Sequence, residues 1–91
     1  MSKQDEKELD NQLRIYPNPA IDDLNIQVQG RNGARGHLLI FNNGGILVRQ
    51  KRCSDVGQAM ISLEGLSAGH YIIVVEMENN EHFTKGFEIV K

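Results

Sequence analysis

From Leu13 onward, apolar residues recur at every second position rather than at every third or fourth. Leu24, Ile26 and Val28 alternate with Asn25, Gln27 and Gln29, the pattern of a half-buried strand. A shorter strand, Arg14 to Tyr16, precedes it. "GRNGARG" places three glycines within seven residues and predicts a loop. "HLLIF" (37–41) and "ILVRQKR" (46–52) then flank "NNGG" (42–45), where Asn and Gly tolerate the positive φ of a hairpin turn. "CSDVGQ" (53–58) predicts a second loop, "AMISL" (59–63) a short strand and "EGLSAG" (64–69) another turn. "HYIIVVEME" (70–78) is the most apolar stretch and is expected at the sheet centre. "NNE" turns the chain once more, and "HFTKGFEIVK" (82–91) closes it, with Phe83, Phe87 and Ile89 as inward positions.

About seven short strands at this spacing, with no helix between them, predict an all-β antiparallel sandwich. Pro17 and Pro19 cannot donate to a strand ladder, and each drives the residue before it into extended geometry. "YPNP" is therefore a stiff corner that carries the chain from its first short strand into the second. Residues 1–12 carry six charges and read as a flexible linker, with a short helix on Leu9 and Leu13 as the lesser alternative. The folded domain is expected at 13–91.

Ninety-one residues give one domain with a thin core, filled by Ile, Leu and Val because Trp is absent and Phe and Tyr together number five. The single cysteine, Cys53, rules out an intrachain disulfide, so the fold stands on packing. A net charge of −2 and a pI near 5.9 argue against a nucleic-acid binder and give no support for an anionic-membrane binder. The N-terminus has no apolar signal-peptide core, and the longest aliphatic run, Ile72 to Val75, is too short to span a bilayer. The chain is thus either cytosolic or a piece of a larger precursor.

No catalytic constellation emerges. His37, His70 and His82 fall in separate strands without metal-ligand spacing. Cys53 follows Lys51 and Arg52, which would lower its pKa, yet no histidine is placed as its base. Asp22, Asp23 and Asn25 lack the Gly and terminal Glu of a calcium loop and read as turn residues. Gly44 and Gly45 open no helix, so a phosphate loop fails. The expectation is a non-enzyme without metal or cofactor.

Four stretches taken in order carry more: "YPNPAIDDLNI" (16–26), "IFNNGGILV" (40–48), "ISLEGLSAGHYIIVV" (61–75) and "TKGFEIVK" (84–91). Together they resemble the C-terminal sorting domain of type IX secretion cargo of the Bacteroidota, type A, over about residues 14–91. The resemblance implies an immunoglobulin-like sandwich behind a flexible linker at the end of an exported cargo protein. It implies a domain that directs its cargo through the outer-membrane translocon to the cell surface or medium and is removed by a surface sortase. The implied partners are the translocon, the sortase and the N-terminal cargo, with no nucleic acid and no membrane insertion.

The positions that match the family pattern are Pro17, Asn18 and Pro19 at the entry, Asp23 and Leu24 at the next strand, and Gly45 in the hairpin. Leu66, Gly69 and Tyr71 follow in the turn, then Lys85 and Lys91 at the end. His70 stands where an aliphatic residue is expected. Read on its own, Gly69 suits a positive φ, and Tyr71 packs at the turn with a hydroxyl that needs a partner. The terminal strand is the expected contact element, since an edge strand can extend a partner's sheet, with Lys85 and Lys91 as recognition charges. Exposed strand edges also suggest a weak homodimer. The alternative function is an adhesion or carbohydrate-binding sandwich.

Overall fold

The computed structural model describes residues 12–91. The expected linker therefore lies outside the described residues, apart from Gln12. Seven strands follow in order: β1 (Leu13–Tyr16), β2 (Asp23–Val28), β3 (Gly36–Asn42), β4 (Leu47–Cys53), β5 (Ala59–Ser62), β6 (Gly69–Met77) and β7 (His82–Ile89). They form a three-stranded sheet ordered β1-β2-β5 and a four-stranded sheet ordered β4-β3-β6-β7, with every neighbouring pair antiparallel.

The alternation read from the sequence becomes the core. Leu24, Ile26 and Val28 of β2 face Leu38 and Ile40 of β3, and Tyr71, Ile73 and Val75 of β6, across the sandwich. Each fully buried aliphatic side chain stabilises the fold by about 1.5–3 kcal/mol. Among the described residues the buried side chains all belong to hydrophobic residues, and Tyr71 brings its hydroxyl to the margin of this core. β6 is central, as expected, but it is not covered on both faces: Ile72 is 44% exposed while its neighbours Tyr71 and Ile73 are buried. Phe83, Phe87 and Ile89 point inward as predicted.

Strand limits depart from the sequence reading by one or two residues. Ile46 belongs to the hairpin rather than to β4, because the Asn42 side chain draws it into the turn. Asn42 Oδ1 accepts from Gly44 N at 2.9 Å and from Ile46 N at 3.0 Å. Cys53 is the last residue of β4 rather than the first of a loop.

Side chains bridge the two sheets along their edges. Arg49 on β4 donates to the carbonyls of Ser62 (3.3 Å) and Glu64 (2.5 Å), and Lys51 donates to that of Met60 (2.8 Å). These bonds join the outer edge of β4 to β5 of the opposite sheet. On the other flank, Lys85 Nζ donates to the Leu13 carbonyl at 3.1 Å, linking β7 to β1.

Candidate recognition end of the sandwich

Register divides the molecule into two ends. β1 starts at one end, beside the β2–β3 loop, the β4–β5 loop and the β6–β7 turn. The opposite end gathers the proline corner, the β3–β4 hairpin, the β5–β6 turn and the last residues of β7. All the sequence-predicted positions except Lys85 lie at or within two residues of this second end.

The proline corner is built against the terminal strand. Both X-Pro bonds, Tyr16–Pro17 and Asn18–Pro19, are cis. Pro17, Asn18 and Pro19 are exposed, whereas Ala20 is fully buried. Asn18 Oδ1 accepts from Glu88 N at 3.1 Å. Ala20 N donates to the Glu88 carbonyl at 2.8 Å, and Val90 N donates to the Ala20 carbonyl at 2.9 Å. Ala20 thereby forms a parallel bridge with Ile89. β7 is an edge strand by sheet order, as expected, yet the part of its edge nearest the C-terminus is already taken by the chain's own proline corner. That part is not free to extend a partner's sheet.

The β5–β6 turn is equally explicit. Gly69 has φ +153°, a conformation that side-chain-bearing residues rarely adopt. Leu66 and Tyr71 are buried beside it, and the Tyr71 hydroxyl donates to the Ser67 carbonyl at 2.6 Å. Tyr71 also stacks on Phe87, with ring centroids 5.8 Å apart, so this turn packs on β7 as well. Gly45 takes φ +80° at the tip of the hairpin. His70 points outward, so no imidazole is desolvated there.

Leu24 is wholly buried and serves the core, while Asp23 is exposed where β2 begins. Lys91 is exposed and Lys85 lies midway along β7, bonded to Leu13. Sequence reading missed Ala20, whose two backbone bonds hold the terminal strand; nothing marks an alanine for such a role except its place after the second proline. It also missed the pairing of Arg31 with Glu81 at the opposite end, where Nε donates to Oε1 at 2.8 Å and Nη2 to Oε2 at 2.6 Å. This fork, with a bond from Asn79, holds the Glu81 carboxyl down to about 2.

The expectation for Cys53 is corrected. Burial pushes the thiol pKa up, and this outweighs the opposing influence of Lys51 and of backbone hydrogen bonding. Its Sγ lies 3.6 Å from the Gly36 carbonyl. Among the described residues no group of three His, Cys, Asp or Glu side chains is placed to hold a metal, and no helix is long and apolar enough to cross a membrane.

Residues 14–89 match the family model described as the secretion system C-terminal sorting domain, spanning β1 to the end of β7. The chain belongs to that family. A solved relative in shape is a DUF3244 family protein from Bacteroides vulgatus with an immunoglobulin-like β-sandwich fold. It superposes with a TM-score of 0.67 at 14% identity, over 85% of this chain and 83% of its own. That likeness establishes the immunoglobulin-like fold of the sorting domain. No curated protein matches the chain.

Proposed function

We propose that this sorting domain directs a fused cargo through the type IX outer-membrane translocon to the cell surface or medium, where a surface sortase removes it. The observation that carries this reading is the family match over 14–89, which takes in the proline corner, the β5–β6 turn and the terminal strand. The bonds from Asn18 and Ala20 to β7 support a single closed unit in which those three elements form one end. In this reading the domain is a non-catalytic signal without a cofactor. Its partners are the cargo, the translocon and the sortase, and its route runs from periplasm to outer membrane. Residues 1–12 serve as the linker that precedes the folded unit.

Pro17, Asn18, Pro19, Gly45, Leu66, Gly69 and Tyr71 act through the shape they hold. Asp23 and Lys91, both exposed, offer charged side chains to a partner. The deciding experiment places the whole chain behind a signal peptide and a fluorescent reporter in a bacterium with a working type IX system. Reporter reaching the surface or medium, and lost on deletion of the translocon, supports the role. Reporter retained in the periplasm on a folded domain overturns it.

A further inference from the structure

The outer face of the four-stranded sheet has an order that neither the core nor the strand ends require. Buried residues alternate with outward ones on β3, β6 and β7, and register aligns the outward positions in rows across the strands. One row runs Leu47–Phe41–Ile72–Gly86, and the next runs Gln50–Leu39–Val74–Thr84. Neither row carries a charge. Ile72 is 44% exposed and Leu47 40% exposed, with Leu39, Phe41 and Val74 half-buried beside them.

Charges appear only beyond this band. On β6 and β7 the row at the proline-corner end is His70–Glu88, and the row at the opposite end is Glu76–His82. The order of the two kinds of group is therefore reversed between the ends.

We propose that this face binds a second copy of the chain across a two-fold axis that lies between the two apolar rows and perpendicular to the strands. Such an axis sets β6 antiparallel over β6 and β7 over β7. His70 then faces Glu76 of the second copy, and Glu88 faces His82, each pair occurring twice. At the centre Ile72 meets Val74 and Phe41 meets Leu39, while Gly86 leaves room for Thr84. On β6 the apolar and the charged positions each meet a group of matching or opposite character, and the same surface serves both copies, as an isologous interface demands. With the axis along the strands, β6 would instead lie over β3 and β7 over β4, so that Glu76 would meet His37 but His82 would meet Arg52, two basic side chains face to face.

Four strands about 4.8 Å apart and four rows about 6.8 Å apart span roughly 500 Å² per copy, or about 1,000 Å² in all, which is the lower bound for a specific contact. The dimer is thus weak and reversible. It uses a face, while edge groups of the β5 segment, β1 and the end of β7 are already taken by Arg49, Lys51, Lys85 and the proline corner.

Sedimentation equilibrium of the whole chain from about 10 μM to about 1 mM covers the affinity range of such contacts. The expected result is a monomer–dimer equilibrium that Ile72→Arg abolishes without lowering the melting temperature. His70→Glu, which sets two carboxylates face to face, should weaken dimerisation about tenfold, and His70→Glu with Glu76→Lys should restore it. A monomer at every concentration, or a dimer indifferent to Ile72→Arg, overturns the proposal. A dimer lost in Ile72→Arg but not rescued by the charge exchange overturns the two-fold arrangement.

Discussion

Asn18 and Glu88, seventy residues apart, are joined by a hydrogen bond from the Glu88 amide to the Asn18 side-chain oxygen at 3.1 Å. The bond gives the asparagine between the two prolines a structural role, since it satisfies an amide at the outer edge of the last strand. Asn18→Ala should cost about 0.5–1.5 kcal/mol, the usual net value of one such bond. Hydrogen exchange at Glu88 should quicken while the amide of Ile73 in central β6 is unchanged. Equal acceleration at both would show that the bond supports the whole fold rather than one strand end.

Gly69→Ala forces a side chain into φ +153° and should destabilise the domain by about 1–3 kcal/mol. Tyr71→Phe removes only the bond to the Ser67 carbonyl and should cost about 1 kcal/mol. Urea unfolding of both variants measures the difference. If delivery of a fused reporter falls in proportion to stability in both, the turn acts through shape.

The Arg31–Glu81 pair predicts a pH dependence. Its carboxyl titrates near 2 when folded, against an ordinary value of 4.5, so the folded state holds the ionised form preferentially. The resulting stability is fully present above about pH 5 and is lost as pH falls towards 2. Thermal melts between pH 7 and pH 2 should show a flatter profile in Glu81→Gln than in the parent. Salt should narrow the gap between them, because the pair is partly open to solvent.

Cys53 should react slowly. Its thiol is half-buried and its pKa is raised by that burial, so little thiolate forms at neutral pH. Iodoacetamide at pH 7.5 should label the folded chain several-fold more slowly than the chain in urea. Equal rates would contradict the placement of Cys53 at the end of β4.

The strands and the inward residues were legible because one face of each strand is apolar and the other is not. Phe83, Phe87 and Ile89 could be assigned from alternation alone, and "NNGG" from the conformational freedom of its residues. The contacts between distant segments were not legible. Arg49 and Lys51 read as ordinary solvated charges, because nothing in β4 announces that carbonyls of the β5 segment lie within reach. Cys53 was misjudged for a related reason. Its sequence neighbours are basic, but its thiol packs beside the core and the Gly36 carbonyl, and this desolvation exceeds the effect of charges next along the chain. Within the candidate site, the residue types of Gly69 and Tyr71 predicted their roles, whereas Ala20 carries no chemical mark of the strand it holds.

The closure of β7 by the segment after β1 also sets the timing of folding. Asn18 and Ala20 have no partner until residues 88 to 90 exist, and Leu13 waits likewise for Lys85. Closing a loop of about seventy residues is entropically costly, and such distant pairings form slowly. During synthesis the domain therefore cannot complete itself until its last strand has left the ribosome. Because the segment after β1 and the last strand complete one another, the polypeptide stays open until both are present, and the finished domain reports that its whole length has been made.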